Sequence, residues 1–325
     1  MDRTALLEVS DLTVEFPQQS AVVRAAQGLT LSLAEGEIVG LVGESGCGKS
    51  ASALALLRLV PPPGRIVSGR VRLDGVDLLA LPEKELRRYR GAGMAYVPQE
   101  PGQAFSPVIS VGAQVVDVIR AHHQVDRKTA WSRAVAALEA VGIADPARRA
   151  REYPHQYSGG MKQRALVAMA LAAGPRVLIA DEPTTAIDPT LQAGILELFR
   201  SLVEQGRLGA LLLITHDLSA VARICHRVLV MYAGRIVERA PTAEVLAHPL
   251  HPYTRALLAS RPRPEHPRGG LPTIEGQVPD LAHLPPGCAF APRCPVVEER
   301  CRQGVPPAVA VSEAREVACI LETGQ

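Results

Sequence analysis

The sequence predicts an α/β fold built on a parallel sheet, and three observations carry that prediction. Short continuous apolar runs at residues 38–42, 177–180, 210–215 and 228–231 have the length and composition of strands buried on both faces. A helix-length segment at 190–203 separates the second run from the third, the alternation that parallel sheets require. The run at 38–42 also passes directly into a glycine-rich loop and an apolar helical segment.

Taken in order, residues 6–16 alternate apolar and polar side chains and read as a half-buried strand. A second run at 29–33 ends at the turn signal Glu35-Gly36, before the buried strand at 38–42. These early strands predict an N-terminal antiparallel β subdomain. The helix expected over 50–59 is stopped by the triple proline at 61–63. Residues 71–73, followed by Asp74-Gly75, predict another strand and turn, and 94–97 a short buried strand ending at Pro98. From about 105 to 157 the pattern is helical, including 130–141, with no strong strand, so an inserted α-helical subdomain is expected there. After about residue 260 the composition shifts. Residues 261–307 are rich in proline and glycine and contain three of the four distal cysteines. The chain is therefore divided at 1–260 and 261–325, the latter a loop-rich extension.

With 325 residues, the chain has room for one large domain, or one domain with appendages. Hydrophobic residues at 47% and charged residues at 21% exclude a disordered or collagen-like chain. Aromatics at 3% leave the core to Leu, Val, Ile and Ala. A net charge of +2 gives no electrostatic ground for a polyanionic partner, and no nucleic acid is expected. No apolar stretch approaches the eighteen or so residues of a membrane span. The first ten residues carry Asp2 and Glu8 and lack the apolar stretch of a signal peptide, so the chain is expected in the cytosol unless a partner holds it at a membrane.

Gly43-Glu44-Ser45-Gly46-Cys47-Gly48-Lys49-Ser50 fits the phosphate-loop pattern G-x-x-x-x-G-K-[ST]. Its glycines let successive amide N–H groups face one oxyanion, and the following helix adds its positive end. Lys49 would reach the β- and γ-phosphates of a nucleotide, and the Ser50 hydroxyl would bind Mg²⁺. A plain Gly-rich turn before a helix is the bland alternative, but the strand before and helix after favour the loop. Cys47 lies near the helix N-terminus, a position that predicts a lowered thiol pKa. The strand at 177–180 then delivers two carboxylates, Asp181 and Glu182, at the end of a parallel strand, where such sheets bind ligands. Asp181 suits Mg²⁺, and Glu182 suits orienting or deprotonating an attacking water.

With Tyr157-Ser158-Gly159-Gly160-Met161-Lys162-Gln163-Arg164 in place, the chain resembles the ABC-transporter ATPases, whose signature motif this segment matches. Gln99 resembles the family's Q-loop residue, Asp188 its D-loop residue and His216 its switch histidine. All six motifs stand in the family's order, and the resemblance runs from Leu6 to about Ala247. It implies a P-loop NTPase (RecA-like) core, with ATP and Mg²⁺ as substrate and cofactor. A narrower resemblance, to the oligopeptide/dipeptide and nickel importer branch, rests on Tyr153-Pro154-His155, on His251-Pro252-Tyr253-Thr254 and on the tail from Gly287-Cys288 to Cys294-Pro295. Met161 stands where the wider family has Gln, as is usual in this branch, and Ile187 where Leu is usual.

The resemblance further implies two cassettes clamping two ATP molecules head to tail. Ser158, Gly159, Gly160 and Met161 would then face a phosphate held by the partner's lysine. His216 and Glu182 would act at the γ-phosphate, Gln99 would join Ser50 and Asp181 around Mg²⁺, and Phe16 is expected to stack on adenine. The implied partners are a second homologous ATPase, making a heterodimer, two transmembrane permeases and an extracytoplasmic binding protein. The implied location is the cytoplasmic membrane face. Peptide is the favoured cargo, ahead of nickel or another small solute. Rival readings lack their own marks. A soluble ABC ATPase usually carries two cassettes or a coiled-coil insertion, a small-molecule kinase would not need Ser158-Gly159-Gly160, and the intact motifs argue against a non-catalytic cassette.

Cys288, Cys294, Cys301 and Cys319 lack the paired C-x-x-C spacing of zinc ribbons. Four thiolates suit Zn²⁺ or an iron–sulfur cluster, and reduced, partly buried thiols are the alternative. Resemblance to the importer branch, in which some members carry a [4Fe–4S] cluster in a similar tail, puts iron–sulfur ahead of zinc.

Overall fold

The computed structural model describes residues 5–184, 189–260 and 274–322. Along the chain, β1 (Ala5–Pro17) and β2 (Val22–Ala34) form a hairpin whose turn is closed by Gln18 N–H donating to the Ala21 carbonyl at 2.9 Å. All six residues of β3 (Glu37–Val42) are buried. Next comes α1 (Lys49–Leu56), which ends three residues earlier than the apolar pattern predicts, because the chain turns at Leu57 ahead of the prolines. β4 (Arg65–Leu73) pairs through Arg72 and Leu73 with the short β5 (Val76–Asp77). α2 (Glu83–Tyr89) leads to β6 (Met94–Val97). The segment expected to be helical, about 105–157, holds α4 (Val111–His122), α5 (Arg127–Ala140) and α6 (Pro146–Arg149), while α3 (Pro101–Ala104) lies just before it and α7 (Gly159–Leu171) just after.

Beyond it follow β7 (Val177–Asp181), α8 (Pro189–Glu204), β8 (Ala210–Thr215), α9 (Leu218–Ile224) and β9 (Arg227–Tyr232). β10 (Arg235–Pro241), α10 (Thr242–Ala247) and α11 (Pro252–Ala259) precede the extension, which contributes β11 (Val309–Ser312) and β12 (Arg315–Val317).

The chain divides into two compact units, one formed by residues 1–7, 33–38 and 72–214, the other by 8–32, 39–71 and 215–325. In the first unit β6, β7 and β8 are parallel neighbours, with Val97 opposite Ala180 and Asp181 opposite Ile214. Every residue of β7 and β8 is buried, which explains their unbroken apolar sequence. The helices of this unit have their own small core, where Val115, Val116 and Ile119 of α4 meet Ala130 and Ala134 of α5, with Trp131 and Met169 at its margin.

In the second unit β3 and β9 are parallel, with Val42 opposite Val230, and β10 continues antiparallel from β9. β12 pairs with β10 and β11 with β12, both antiparallel, so the extension completes a sheet begun by the cassette strands. Ser68 donates its hydroxyl to the Asp11 carbonyl. Gly69 lies against Leu12, and β1 and β4 are neighbours in the four-stranded sheet. No helix among the described residues is long and apolar enough to cross a membrane.

Candidate functional site

The second unit carries the phosphate loop between β3 and α1. Its shape demands glycine at two motif positions. A Cβ on Gly43 would lie 2.3 Å from the Met231 carbonyl oxygen, and one on Gly48, at φ 108°, 1.8 Å from that of Ala25. Both glycines thus let the loop press against neighbouring backbone. Gly234 N–H donates to the Cys47 carbonyl at 2.9 Å and fixes the loop from the other side. Lys49 is buried, with its ammonium donating to the carbonyls of Gly43 at 2.8 Å and Glu44 at 3.0 Å. A buried cation in a loop of backbone amides, at the start of a helix, suits a polyphosphate. Ser45, Gly46 and Ser50 are exposed.

Glu44 has partners that the sequence pattern does not reveal. Its N–H donates to the Tyr253 hydroxyl oxygen at 2.9 Å. The Arg293 guanidinium grips its carboxylate with both arms, Nη1 to Oε2 at 2.7 Å and Nη2 to Oε1 at 3.0 Å. The hydrogen bond to Glu44 holds the Arg293 pKa above its ordinary value. Cys47 corrects an expectation. It is fully buried, and burial raises its thiol pKa, with the Lys49 charge opposing only in part. Desolvation outweighs the helix terminus.

Phe16, near the end of β1, lies against Gly64, where an added Cβ would approach its ring to 2.4 Å. His216 follows the last residue of β8 and is exposed. Asp217, next along, caps α9 by accepting the Ser219 N–H at 2.7 Å.

The first unit brings Gln99, Asp181 and Glu182 to the carboxyl ends of adjacent parallel strands. Asp181 is buried and accepts a hydrogen bond from the Tyr96 hydroxyl at 2.9 Å. Burial, and then the Asp181 charge, raise the Tyr96 pKa, so that hydroxyl remains a donor. The sequence treats Tyr96 only as the lead-in to Gln99, although its register opposite Ile179 places it one diagonal step from Asp181. Glu182 sits at φ 47°, a left-handed conformation that costs a non-glycine residue about 1–2 kcal/mol. Its N–H is tied to the Ile214 carbonyl at 2.8 Å, which holds that turn in place. Strain of this kind collects at functional positions.

In the same unit Ser158 caps α7, its hydroxyl accepting the Met161 N–H at 3.3 Å. Ser158 and Gly159 are exposed, and a Cβ on Gly159 would meet nothing within 4 Å. Gly160 is buried and Met161 half-buried. The N-terminus of this thirteen-residue helix therefore presents an open face. Asp188 lies outside the described residues.

Cys288, Cys294, Cys301 and Cys319 all line one small cavity, of about 20 Å³. All four are free thiols. Burial is the main reason that the pKa values of Cys288, Cys294 and Cys319 are raised. Among the described residues no group of three or more His, Cys, Asp or Glu is placed to hold a metal. The expectation of a cluster or zinc at these thiols thus gains no support.

Residues 26–185 match the ABC transporter family, and residues 237–301 match the oligopeptide/dipeptide transporter C-terminal region. The chain is 47% identical to the "Probable peptide ABC transporter ATP-binding protein y4tR" of Sinorhizobium fredii, covering 97% of this chain and 94% of that one. It is 43% identical to the dipeptide transport ATP-binding protein DppD of Escherichia coli, over 97% and 96% of the two chains. Among solved structures it is similar to the dimeric post-hydrolysis state of the ATP-binding cassette MJ0796 bound to ADP and Pi. That likeness has a TM-score of 0.66 and 25% identity over 73% of this chain and 98% of that one.

Proposed function

The chain belongs to the ABC transporter ATP-binding family, and on that premise we propose that it is the ATP-hydrolysing subunit of a peptide importer. The observation that carries this reading is the phosphate loop, in which Gly43 and Gly48 press against neighbouring carbonyls and Lys49 is buried among backbone oxygens.

In this reading Gly43 to Ser50 wrap the nucleotide phosphates and Lys49 exchanges its carbonyl partners for phosphate oxygens. Phe16 stacks on adenine. Ser50, Gln99 and Asp181 would hold Mg²⁺, with Tyr96 orienting the Asp181 carboxylate. The ion, when bound, offsets the charge of the β- and γ-phosphates. Glu182 orients and deprotonates the attacking water, and His216 hydrogen-bonds the γ-phosphate. Ser158, Gly159, Gly160 and Met161 serve the ATP of a second cassette, and Asp188 is the D-loop residue. The start of α7 supports that role, since Ser158 and Gly159 are exposed and nothing lies within 4 Å of a Cβ on Gly159.

The resemblance supplies the setting. It comprises a related second ATPase, two transmembrane permeases, an extracytoplasmic binding protein and a peripheral position at the cytoplasmic membrane face. The nucleotide-binding part is residues 1–260, with its helical subdomain at about 105–157 and the importer-type extension at 261–325. Peptide cargo is favoured over nickel by the names of the relatives.

The test is Glu182→Gln in the assembled transporter. ATP binding should persist while turnover falls by about two orders of magnitude or more, the usual contribution of a positioned general base. Turnover equal to that of the parent chain would remove Glu182 from the reaction.

A further inference from the structure

Two segments outside the phosphate loop converge on one of its residues. Tyr253, in the His251-Pro252-Tyr253-Thr254 segment, takes the Glu44 N–H, and Arg293, in the cysteine-bearing extension, takes the Glu44 carboxylate. Arg293 uses its remaining donors on the extension itself, with Nε bound to the Glu275 carbonyl at 2.9 Å and Nη2 to that of Ile274 at 3.2 Å. Its Nη1 also reaches the Tyr232 hydroxyl at 3.3 Å. The side chain is only 4% exposed. Its guanidinium lies 5.9 Å from the Tyr232 ring centroid and 6.0 Å from that of Phe290. Those two rings and Tyr253 pack together, with centroids 4.5–5.5 Å apart.

A fixed geometry and a fixed charge balance follow. Glu44 is a loop residue whose neighbours Gly43 and Lys49 are assigned to phosphate, and an unpaired carboxylate there would repel a triphosphate. A bidentate guanidinium, held by carbonyls and aromatic rings, removes that repulsion and fixes the loop's first turn. The turn that carries Arg293 (Ala291–Arg293) runs directly into Cys294, and its first N–H is bonded to the Cys288 carbonyl. The cysteine-bearing extension and the nucleotide loop are therefore mechanically joined.

We infer that the C-terminal extension is part of the nucleotide site, with Arg293 as a positioning residue that neutralises Glu44 and sets the phosphate loop for ATP. This rests on the reading of residues 43–50 as the ATP loop, and the test separates the two. In the purified full-length chain, the Kd for a fluorescent trinitrophenyl-ATP is measured for the parent, Arg293→Ala, Arg293→Lys, Glu44→Gln, the double variant Arg293→Ala/Glu44→Gln, and Lys49→Ala. Melting temperatures are recorded alongside.

Arg293→Ala should weaken binding about tenfold, the loss of one charge-assisted contact. Glu44→Gln in the same chain should recover most of that loss, because it removes the carboxylate left unpaired. Arg293→Lys, which keeps the charge without the fork, should fall between parent and Ala. A merely structural Arg293 would lower the melting temperature and the affinity with no recovery from Glu44→Gln, and that result overturns the inference. If Arg293→Ala fails to fold, unchanged affinity in Arg293→Lys overturns it equally. Lys49→Ala reports on the premise. Lost binding there with an unaffected Arg293→Ala defeats only the positioning role, whereas unchanged binding in Lys49→Ala defeats the ATP loop itself.

Discussion

Cys47 stands two residues before the first helical residue of α1, where amide dipoles favour a thiolate, yet its thiol is fully buried and its pKa raised. Burial is not visible in an eight-residue pattern, so the local rule gave the wrong sign. The consequence can be measured at neutral pH. N-ethylmaleimide should label Cys47 in the denatured chain and leave it unmodified in the native one, as read by peptide mass spectrometry. Rapid native labelling would show that the loop opens and that the helix terminus governs the thiol. The contiguous motif residues, by contrast, were legible because adjacent positions on one loop or strand end carry their chemistry. Glu44 marks the limit of that legibility. Its partners Tyr253 and Arg293 are 209 and 249 residues away, and no local spacing connects them.

Elements followed the same division. β7 and β8 were readable because strands buried on both faces are apolar throughout. β10 was missed because Glu238 interrupts its apolar pattern. That carboxylate is buried with its charge met by Arg315, on β12, which pairs with it at 2.9 Å while also donating to the His248 carbonyl. The same carboxylate accepts the N–H groups of Leu250 and His251, which ties β10 to the start of α11. His251 in turn caps α11, its Nδ1 accepting the Tyr253 N–H at 3.0 Å. That contact needs a neutral imidazole, and burial, then the Arg255 charge, lower its pKa to about 3. Below the ordinary histidine value of 6.5 the unfolded chain takes up a proton that the folded chain refuses. Stability should therefore fall as pH drops from 6.5 towards 3. In His251→Asn, where the amide oxygen keeps the cap without titrating, thermal melts between pH 7.5 and 5 should show a smaller loss than in the parent. Equal losses would mean that other groups set the acid response.

For the molecule as a whole, composition indicated an aliphatic core, and β3, β7, β8 and β9 agree. The exceptions include Phe199 in α8 and, beside the phosphate loop, Tyr232, Tyr253 and Phe290, which are fully buried in one aromatic cluster. The parallel strand pairs were legible from alternation. The antiparallel β10–β12 sheet was not, because it depends on strands far apart in sequence. Partners lie beyond what one chain encodes, and with them the claim that matters most, that this ATPase works in an importer. The direct measurement is mild-detergent purification of the tagged chain from its native membranes, with mass spectrometry of everything retained. The account predicts two multi-span permeases and a second, related ATPase in stoichiometric amounts. A soluble homodimer with no membrane protein attached would contradict it.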